Sequence, residues 1–571
     1  MQHTTNKHLG LGKTLFNSSV AIVNSDYIDN HQVILSERIT RKKASGAWPE
    51  NIFNHLGITN DDSFLSISEN RDVISPKTFE QNINSKLPFF DYLKRKKLDH
   101  FSSHFNSNII YVGHHLAHAY AALAFSPFER SIIIVIDGAG SHVNDLNSEF
   151  SDSIKEYHLK GNEHEECSIY LQDGAKLSCL KKHFQTFIQS QNHPQHDFTE
   201  GVGLLYEKAA EYIFNNKRAA GKVMGLASFG TAFDIAEPRK YLELLDWSLA
   251  YKGATKAEWE ESSQMKVYQN IAASVQKKYE LHMFHLISDL KKAYPDIDNL
   301  IITGGTALNC TNNFKLVQKG LFSNIYIPPF PSDESIGFGC AYSQFITHNP
   351  QSWKPKPIHT QHGFLGHSSS IPTDNLVLET FKDYPIEKLS NPSYFAAKLL
   401  SENKIIAWFQ GRSEIGPRAL GNRSILANIK FPDLKNHLNS QVKFRENFRP
   451  YGCSVLWEKA SEYFQVSNNF HNPYMSFATP IKSKYKNIFS QVIHVDATSR
   501  MQTVTPEFNS LYYELIKHVG DLTGIYAVLN TSLNIMGEPI VESTYDAKKL
   551  LETTNIDGIV IGNFYIKSLK S

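Results

Sequence analysis

Short β-branched runs alternate along this chain with longer stretches whose apolar residues recur three and four apart. The runs at 19–23, 32–35, 109–112 and 132–136 are dense in Val and Ile and predict buried strands. Residues 116–125 are Ala-rich with helical spacing, and further helical patterns cover 201–215 and 265–293. A short strand at 300–303 runs straight into Gly304 and Gly305. Strands that end in Asp-Gly or Gly-Gly place loops at the carboxyl edge of a sheet, where nucleotides bind. Residues 347–373 are Pro/Ser-rich and aperiodic, which predicts a linker or domain boundary. Beyond them a helix at 393–403, a strand at 405–409, a Gly/Arg-rich loop and a strand at 526–529 open a second unit. No repeat of 20 to 50 residues is visible. The reading is α/β throughout.

Composition narrows the function classes. The chain has 571 residues, enough for several domain-sized units or one large two-domain enzyme. Lys and Arg total 58 against 57 for Asp and Glu, a net charge of +1, so no stable nucleic-acid partner is expected. The five cysteines form no close pair, which excludes a disulfide scaffold and a cysteine-type zinc site and fits a reducing cytoplasm. The first 13 residues are polar and the apolar runs are too short to span a bilayer, so no membrane span and a cytoplasmic location are expected. The 25 His and 26 Tyr are the one compositional oddity, and scattered surface His is the ordinary reading of any single one.

Three constellations carry chemistry. His114 and His118, four apart at the start of the first helical pattern, share one helix face. Asp137 ends the following strand, and Asp333 lies in a Pro-Ser-Asp-Glu loop. Two imidazoles and two carboxylates suit Fe(II), Mn(II) or Zn(II), although an isolated HxxxH is as often a capping or core pair. The second constellation is a set of glycine turns, 137–140 with Gly138, 221–225 with Lys222 and Gly225, and 304–309 with Gly304, Gly305 and Asn309. Glycines let backbone N–H groups approach phosphate. One such turn is only a turn, but three at wide spacing match a two-lobed ATPase of the actin, heat-shock-chaperone and sugar-kinase class. The third lies in the C-terminal unit: Arg418 and Arg423 in a tight Gly-Pro-Arg-Ala-Leu-Gly-Asn-Arg loop, then Lys443, Arg445, Arg449 and Arg500, and Asn530 and Ser532 after a strand. Clustered Arg and Lys with hydroxyls suit polyphosphate and acyl phosphate.

Together the strings 114–119, 137–140, 221–230, 304–309, 416–428, 447–454, 494–504 and 530–543 resemble the ATP-dependent O-carbamoyltransferases, the family of the nodulation-factor, tobramycin and cephamycin enzymes. They span most of the chain in the family's order. The resemblance implies an actin-like domain over 1–352, similar to the tRNA-threonylcarbamoylation ATPase, and a YrdC-like domain over 353–571. It implies that the second domain forms carbamoyl-adenylate from carbamoyl phosphate and ATP, the latter with Mg(II), and releases pyrophosphate. The first would then pass the carbamoyl group to a hydroxyl of a small molecule or glycan and release AMP. By the same resemblance Lys443, Arg449, Arg500, Asn530 and Ser532 form the adenylation site, with Arg418 and Arg423 in support. His114, His118, Asp137 and Asp333 would hold Fe(II), and Lys222, Gly225, Gly305 and Asn309 would contact the nucleotide. A homodimer is the family-level expectation.

The chain departs from the family in one place. The usual His-Asp pair before the first Ser and strand is Phe16-Asn17 here, and an amide is a poor general base. This leaves two alternatives, a different acceptor or mode of activation, or a substitute base, for which Glu37, Lys43 and Asp234 are the candidates near matching strings. The stretch 142–166 is acidic and His-containing and has no counterpart in the family pattern. Two other readings remain. A protein- or tRNA-modifying enzyme would need zinc-finger Cys pairs, an acylphosphatase domain or a basic RNA footprint, and none is visible. A degenerate nucleotide switch would not need the C-terminal Arg/Lys set.

Overall fold

The computed structural model describes residues 7–14, 17–24, 30–43, 46, 52–55, 64–70, 109–143, 146, 161–253 and 255–570. Two compact units emerge. One comprises Met1–Ser36 and Ala44–Pro355, the other Glu37–Lys43 and Lys356–Ser571. A single cut of the chain therefore does not separate them, because a seven-residue segment near the N-terminus belongs to the second unit.

The first unit holds two five-stranded sheets of identical connectivity. In the first, β1 (His8–Lys13), β2 (Ser18–Val23) and β3 (Gln32–Leu35) form an antiparallel meander. On the other side of β1, β4 (Ser66–Glu69) and β5 (Ile109–Tyr111) pair in parallel, giving the order 3-2-1-4-5. The second sheet repeats this with the meander β6 (Arg130–Ile136), β7 (Glu163–Asp173) and β8 (Lys176–Thr186), then β9 (Asn299–Thr303) and β10 (Asn324–Tyr326) parallel to β6. This duplication is the two-lobed actin-like architecture.

The helices that follow the fifth strand of each copy are exchanged. Helix α1 (His114–Ala124) follows β5 but packs on β6, β7 and β9 of the second copy. Helix α6 (Ile336–His348) follows β10 but packs on β1, β2 and β4 of the first, and α1 and α6 pack against each other. Glycines make this approach feasible: a Cβ on Gly337 or Gly339 would collide with the backbone of Ser19 or Ala117. Between them lie α2 (Val202–Phe214), α3 (Ala220–Ala227), α4 (Met265–Ala293) and α5 (Cys310–Lys319). Along α4, Tyr268, Ile271, Ala272, Val275, Tyr279, Met283 and Leu290 form a buried stripe of helical period.

The second unit is built on one mixed sheet. Its strands are β11 (Ile386–Lys388), β12 (Ile406–Phe409), β13 (Arg423–Ala427), β14 (Gly452–Leu456), β15 (Met501–Val504), β16 (Ala527–Ser532), β17 (Gly558–Ile561) and β18 (Phe564–Lys567). The order is β11-β18-β17-β12-β13-β16-β14-β15. Alternate residues feed opposite cores: Ala407 and Phe409 enter one, Ile406 and Trp408 the other. Helices Pro392–Ser401 and Ser510–Thr523 cover the latter face. Residues 356–373, read from sequence as linker, are part of this unit: Phe364 and Leu365 are buried, and Arg412 donates to the carbonyls of Leu365 and Gly366. No helix among the described residues is long and apolar enough to cross a membrane.

Candidate functional site

The first unit gathers His114, His118, Asp137 and Asp333, with one ligand atom from each within 4.8 Å of the others. Their positions follow from the fold. The two His open α1, Asp137 follows β6, and Asp333 lies just before α6. His118 Nε2 is 3.1 Å from Asp137 Oδ2 and 3.8 Å from Asp333 Oδ1, and His114 Nε2 is 3.5 and 3.7 Å from the same carboxylates. His118 Nδ1 contacts Ser335 Oγ at 3.0 Å, which fixes the ring so that Nε2 faces the carboxylates. The His side chains are 3% and 0% exposed and the carboxylates 16% and 12%, so the cluster opens on its carboxylate side. Burial pushes the Asp137 carboxyl up, but hydrogen bonds from His114 and His118 outweigh it and hold it well below the usual range. Burial and the neighbouring Asp137 charge push Asp333 the other way, upward. The donor set of two imidazoles and two carboxylates fits a divalent transition ion.

Two of the three expected glycine turns, 137–140 and 304–309, are present, whereas 221–225 is no turn: Gly221, Lys222 and Gly225 lie inside the helix α3, Ala220–Ala227. Asp137 Oδ1 accepts from Gly138 N–H at 2.7 Å and Oδ2 from Gly305 N–H at 3.2 Å. Gly304 has φ +89°, and a Cβ there would collide with the Ile136 carbonyl. Lys222 and Gly225 share one face of α3, with Lys222 Nζ 5.2 Å from the Phe214 ring centroid. Asn309 serves the fold instead. Its Oδ1 accepts from Asn312 N–H as the N-cap of α5, and its Nδ2 donates to Gln276 and Tyr206.

Sequence reasoning missed what stands behind the cluster. Glu165 Oε2 accepts from Ser141 N–H at 3.0 Å and His115 N–H at 3.4 Å, and Ser141 Oγ accepts from His114 N–H at 2.8 Å. Glu165 thus ties the start of α1 to the Asp137 loop. Its other oxygen pairs with Lys182, which also donates to Tyr170 at 3.0 Å, and Glu165 and Lys182 are both fully buried. Burial raises Glu165, but Lys182 and His115 bring it down to about 2. Glu207, on α2, faces Gly138, and burial raises its carboxyl.

Phe16 and most of 142–166 lie outside the described residues. Asn17 caps the β1–β2 turn, accepting from Ser18 N–H. Asp234 is 83% exposed beside Lys277, and Glu37 and Lys43 belong to the second unit.

In the second unit, Lys443, Arg449, Arg500, Asn530 and Ser532 meet at one end of the sheet. Arg449 precedes β14, Arg500 precedes its parallel neighbour β15, and Asn530 and Ser532 end the antiparallel β16, where Gly452 pairs with Asn530. Lys443 ends a π-helical turn and is followed by Phe444 at φ +51°. Its ammonium is buried and donates to Ser532 O, Asn534 O and Asn534 Oδ1 at 2.7, 2.7 and 2.6 Å, with Ser532 Oγ at 3.4 Å. Among the described residues it has no carboxylate partner. Burial first, then the charges of Arg445, Arg449 and Lys43, hold its pKa well below the usual lysine range. Arg445 lies 3.8 Å over the Tyr451 ring and is lowered to about 10 by burial. Arg449 meets Glu446 at 3.5 Å, whereas the buried Nε of Arg500 has no hydrogen-bond partner. Asn530 Nδ2 donates to Ala419 O, Ser454 Oγ and Gln502 Oε1, which leaves its Oδ1 without a partner.

The Arg418 loop is wound round Glu414, whose Oε1 accepts from the N–H groups of Leu420, Asn422 and Arg423 at 2.8, 2.9 and 3.1 Å. This corrects the reading of Arg423. Its guanidinium is fully buried, donates to the carbonyls of Gln410, Asn422, Ser370 and Gly411, and lies 3.5 Å over Phe409. It braces the loop, and those acceptors take up both terminal nitrogens, leaving only the buried Nε without a partner.

Comparison with known proteins matches the two halves separately. Residues 69–342 match the carbamoyltransferase N-terminus and residues 397–568 the carbamoyltransferase C-terminus. Nodulation protein NolNO of Sinorhizobium fredii is 31% identical over 479 residues, which cover 81% of this chain and 64% of that protein. Nodulation protein NolO of Bradyrhizobium diazoefficiens is 29% identical over 480 residues, 80% of this chain and 79% of that protein. An uncharacterized protein of Methanocaldococcus jannaschii is 27% identical over 555 residues, 94% of this chain and 95% of its own length. With both halves matched in order over most of its length, the chain is a transferase of the carbamoyltransferase family.

Proposed function

We propose that this chain is an O-carbamoyltransferase working in two steps, with carbamoyl-adenylate made in the second, YrdC-like unit and used in the first. The observation that carries the reading is the buried Lys443, without a carboxylate partner among the described residues and set among Arg445, Arg449 and Arg500, whose buried Nε also lacks an acceptor. A protein retains such a site when an anion completes it.

Water cleaves carbamoyl phosphate to carbamate and inorganic phosphate. A carbamate oxygen attacks the α-phosphorus of Mg(II)-ATP, and the bond to pyrophosphate breaks with the electron pair leaving on pyrophosphate. Lys443, Arg449 and Arg500 offset the charge on the α- and β-phosphates, while Asn530 Oδ1 and Ser532 Oγ, whose own proton goes to Asn534 Oδ1, accept from the carbamoyl NH2. In the transfer step an acceptor hydroxyl oxygen attacks the carbamoyl carbon, AMP leaves with the C–O electron pair, and the hydroxyl proton passes to a base.

His114, His118, Asp137 and Asp333 would hold the divalent ion, Fe(II) by family resemblance, which supplies Lewis acidity toward the adenylate. The Gly138 and Gly305 N–H groups fix Asp137, and the turns they form bring backbone donors to the nucleotide. The acceptor is a hydroxyl of a small molecule or glycan, the class implied by the likeness to the nodulation proteins. The test is product analysis: ATP should yield AMP and pyrophosphate only when carbamoyl phosphate is present, with one inorganic phosphate per turnover. Formation of ADP alone, whatever is added, defeats the proposal.

A further inference from the structure

The segment Glu37–Lys43 is separated from the rest of its unit by more than 300 residues of sequence, yet it is built into that unit. Arg38 is buried. It donates to the carbonyls of Glu414 at 3.0 Å and Gly416 at 3.5 Å, and on its other side to the Ile540 carbonyl and Glu542 Oε2, both at 3.4 Å. Arg41 donates to the carbonyls of Ile540 at 2.8 Å and Pro539 at 3.1 Å and pairs with Asp546 at 3.2 Å. The Arg41 backbone is left-handed, φ +56°, a conformation kept only where surrounding contacts enforce it.

The two stretches so joined flank the anion site. Residues 414–416 lead into the loop that carries Arg418 and wraps Glu414. Residues 539–542 run back along Leu533, whose carbonyl accepts from Val541 N–H at 2.8 Å, and Glu538 O accepts from Asn534 Nδ2 at 2.7 Å. Asn534 is the residue that holds Lys443.

We propose that Glu37–Lys43 is a clamp for the adenylate-forming site, with Arg38 and Arg41 as positioning residues that fix the Arg418 loop against the Asn534–Glu542 stretch. Lys43 adds positive charge near Lys443. The inference rests on the adenylation reading for its substrate and on the hydrogen bonds alone for its geometry. It explains why the second unit includes a piece of the N-terminal chain: a contiguous C-terminal half lacks part of its own active site.

The test uses the full chain, with Arg38→Ala and the milder Arg41→Gln, since Arg41 is partly exposed. Carbamoyl-phosphate-dependent exchange of pyrophosphate into ATP should fall by about tenfold or more in kcat/KM, chiefly through KM for carbamoyl phosphate. Transfer from supplied carbamoyl-adenylate and the Tm should stay within error of wild type for Arg41→Gln. Unchanged exchange in both variants overturns the clamp, as does a fall of both half-reactions in step with Tm, which a merely structural segment would give. Pyrophosphate binding, measured by calorimetry, separates this inference from the functional one. If wild type binds pyrophosphate but catalyses no exchange, the adenylation reading fails, and equal pyrophosphate affinity in wild type and Arg41→Gln then sinks the clamp as well.

Discussion

Lys182→Met tests the support behind the metal-type cluster. Lys182 is fully buried and its carboxylate partner is Glu165, also fully buried. Removing one member of such a pair strands the other charge in a dry interior, at about 3–5 kcal/mol. At about 2 °C per kcal/mol for a unit of this size, the first unit should melt about 6–10 °C lower. The pH dependence sharpens the test. Glu165 is held at about 2 against an ordinary 4.5, so its contribution is complete above 4.5 and is lost as pH falls toward 2. Without Lys182, burial prevails and the folded carboxyl rises above 4.5, so protonation now favours the folded state. The stability gap between wild type and variant should therefore narrow as pH is lowered from 7 to 4. His115, lowered to about 3 chiefly by burial, withdraws stability from both proteins below its ordinary 6.5 and leaves the sign of that difference unchanged. The double variant Glu165→Gln/Lys182→Met should recover much of the loss, because neither charge is then stranded. Calorimetric melts at several pH values decide it. A loss below about 1 kcal/mol, or a double variant no better than the single one, refutes the reasoning.

Three further outcomes are expected. Lys443→Ala should abolish carbamoyl-adenylate formation while circular dichroism and Tm stay near wild type, and unchanged pyrophosphate release would remove Lys443 from the mechanism. His114→Ala should lower Fe(II) or Mn(II) affinity by at least about tenfold in equilibrium dialysis and stop transfer, yet leave pyrophosphate exchange intact; equal loss of both half-reactions would contradict the two-step division. Gly304→Ala should cost about 1–3 kcal/mol, read by denaturant unfolding, because its backbone is left-handed and a Cβ meets the Ile136 carbonyl; a neutral substitution would show that the Gly304 turn yields easily.

Much of this was legible from local pattern. The helix at 265–293 and the strand at 32–35 have the bounds their periodicity predicts. His114 and His118 could be paired because four residues on a helix return to the same face, and Asp137 and Asp333 because each sat beside a glycine or proline turn. What escaped is what sequence spacing does not encode. The duplicated sheets share connectivity and not residues, so no repeat could be seen. Glu165 read only as one more acid of the stretch 142–166, and Lys182 drew no reading at all, since nothing local marks two charges that neutralise each other inside. Arg423 read as a substrate cation because its carbonyl acceptors are supplied by turns at 370 and 410–411. The role of Arg38 was invisible for the same reason: its partners lie more than 370 residues away.

The exchange of helices α1 and α6 also sets the order in which the chain can fold. The face of β1, β2 and β4 is covered by Ile336–His348, so the first sheet cannot close its core until that helix has been made. Synthesis at about 5–20 residues per second leaves it waiting roughly 15–50 s after Glu69 emerges. Such contacts, remote along the chain, form slowly and leave an apolar strand surface open meanwhile. The nascent protein is therefore a natural client for chaperones that bind exposed strands, and truncation anywhere before Ile336 should yield aggregate in place of a smaller folded domain.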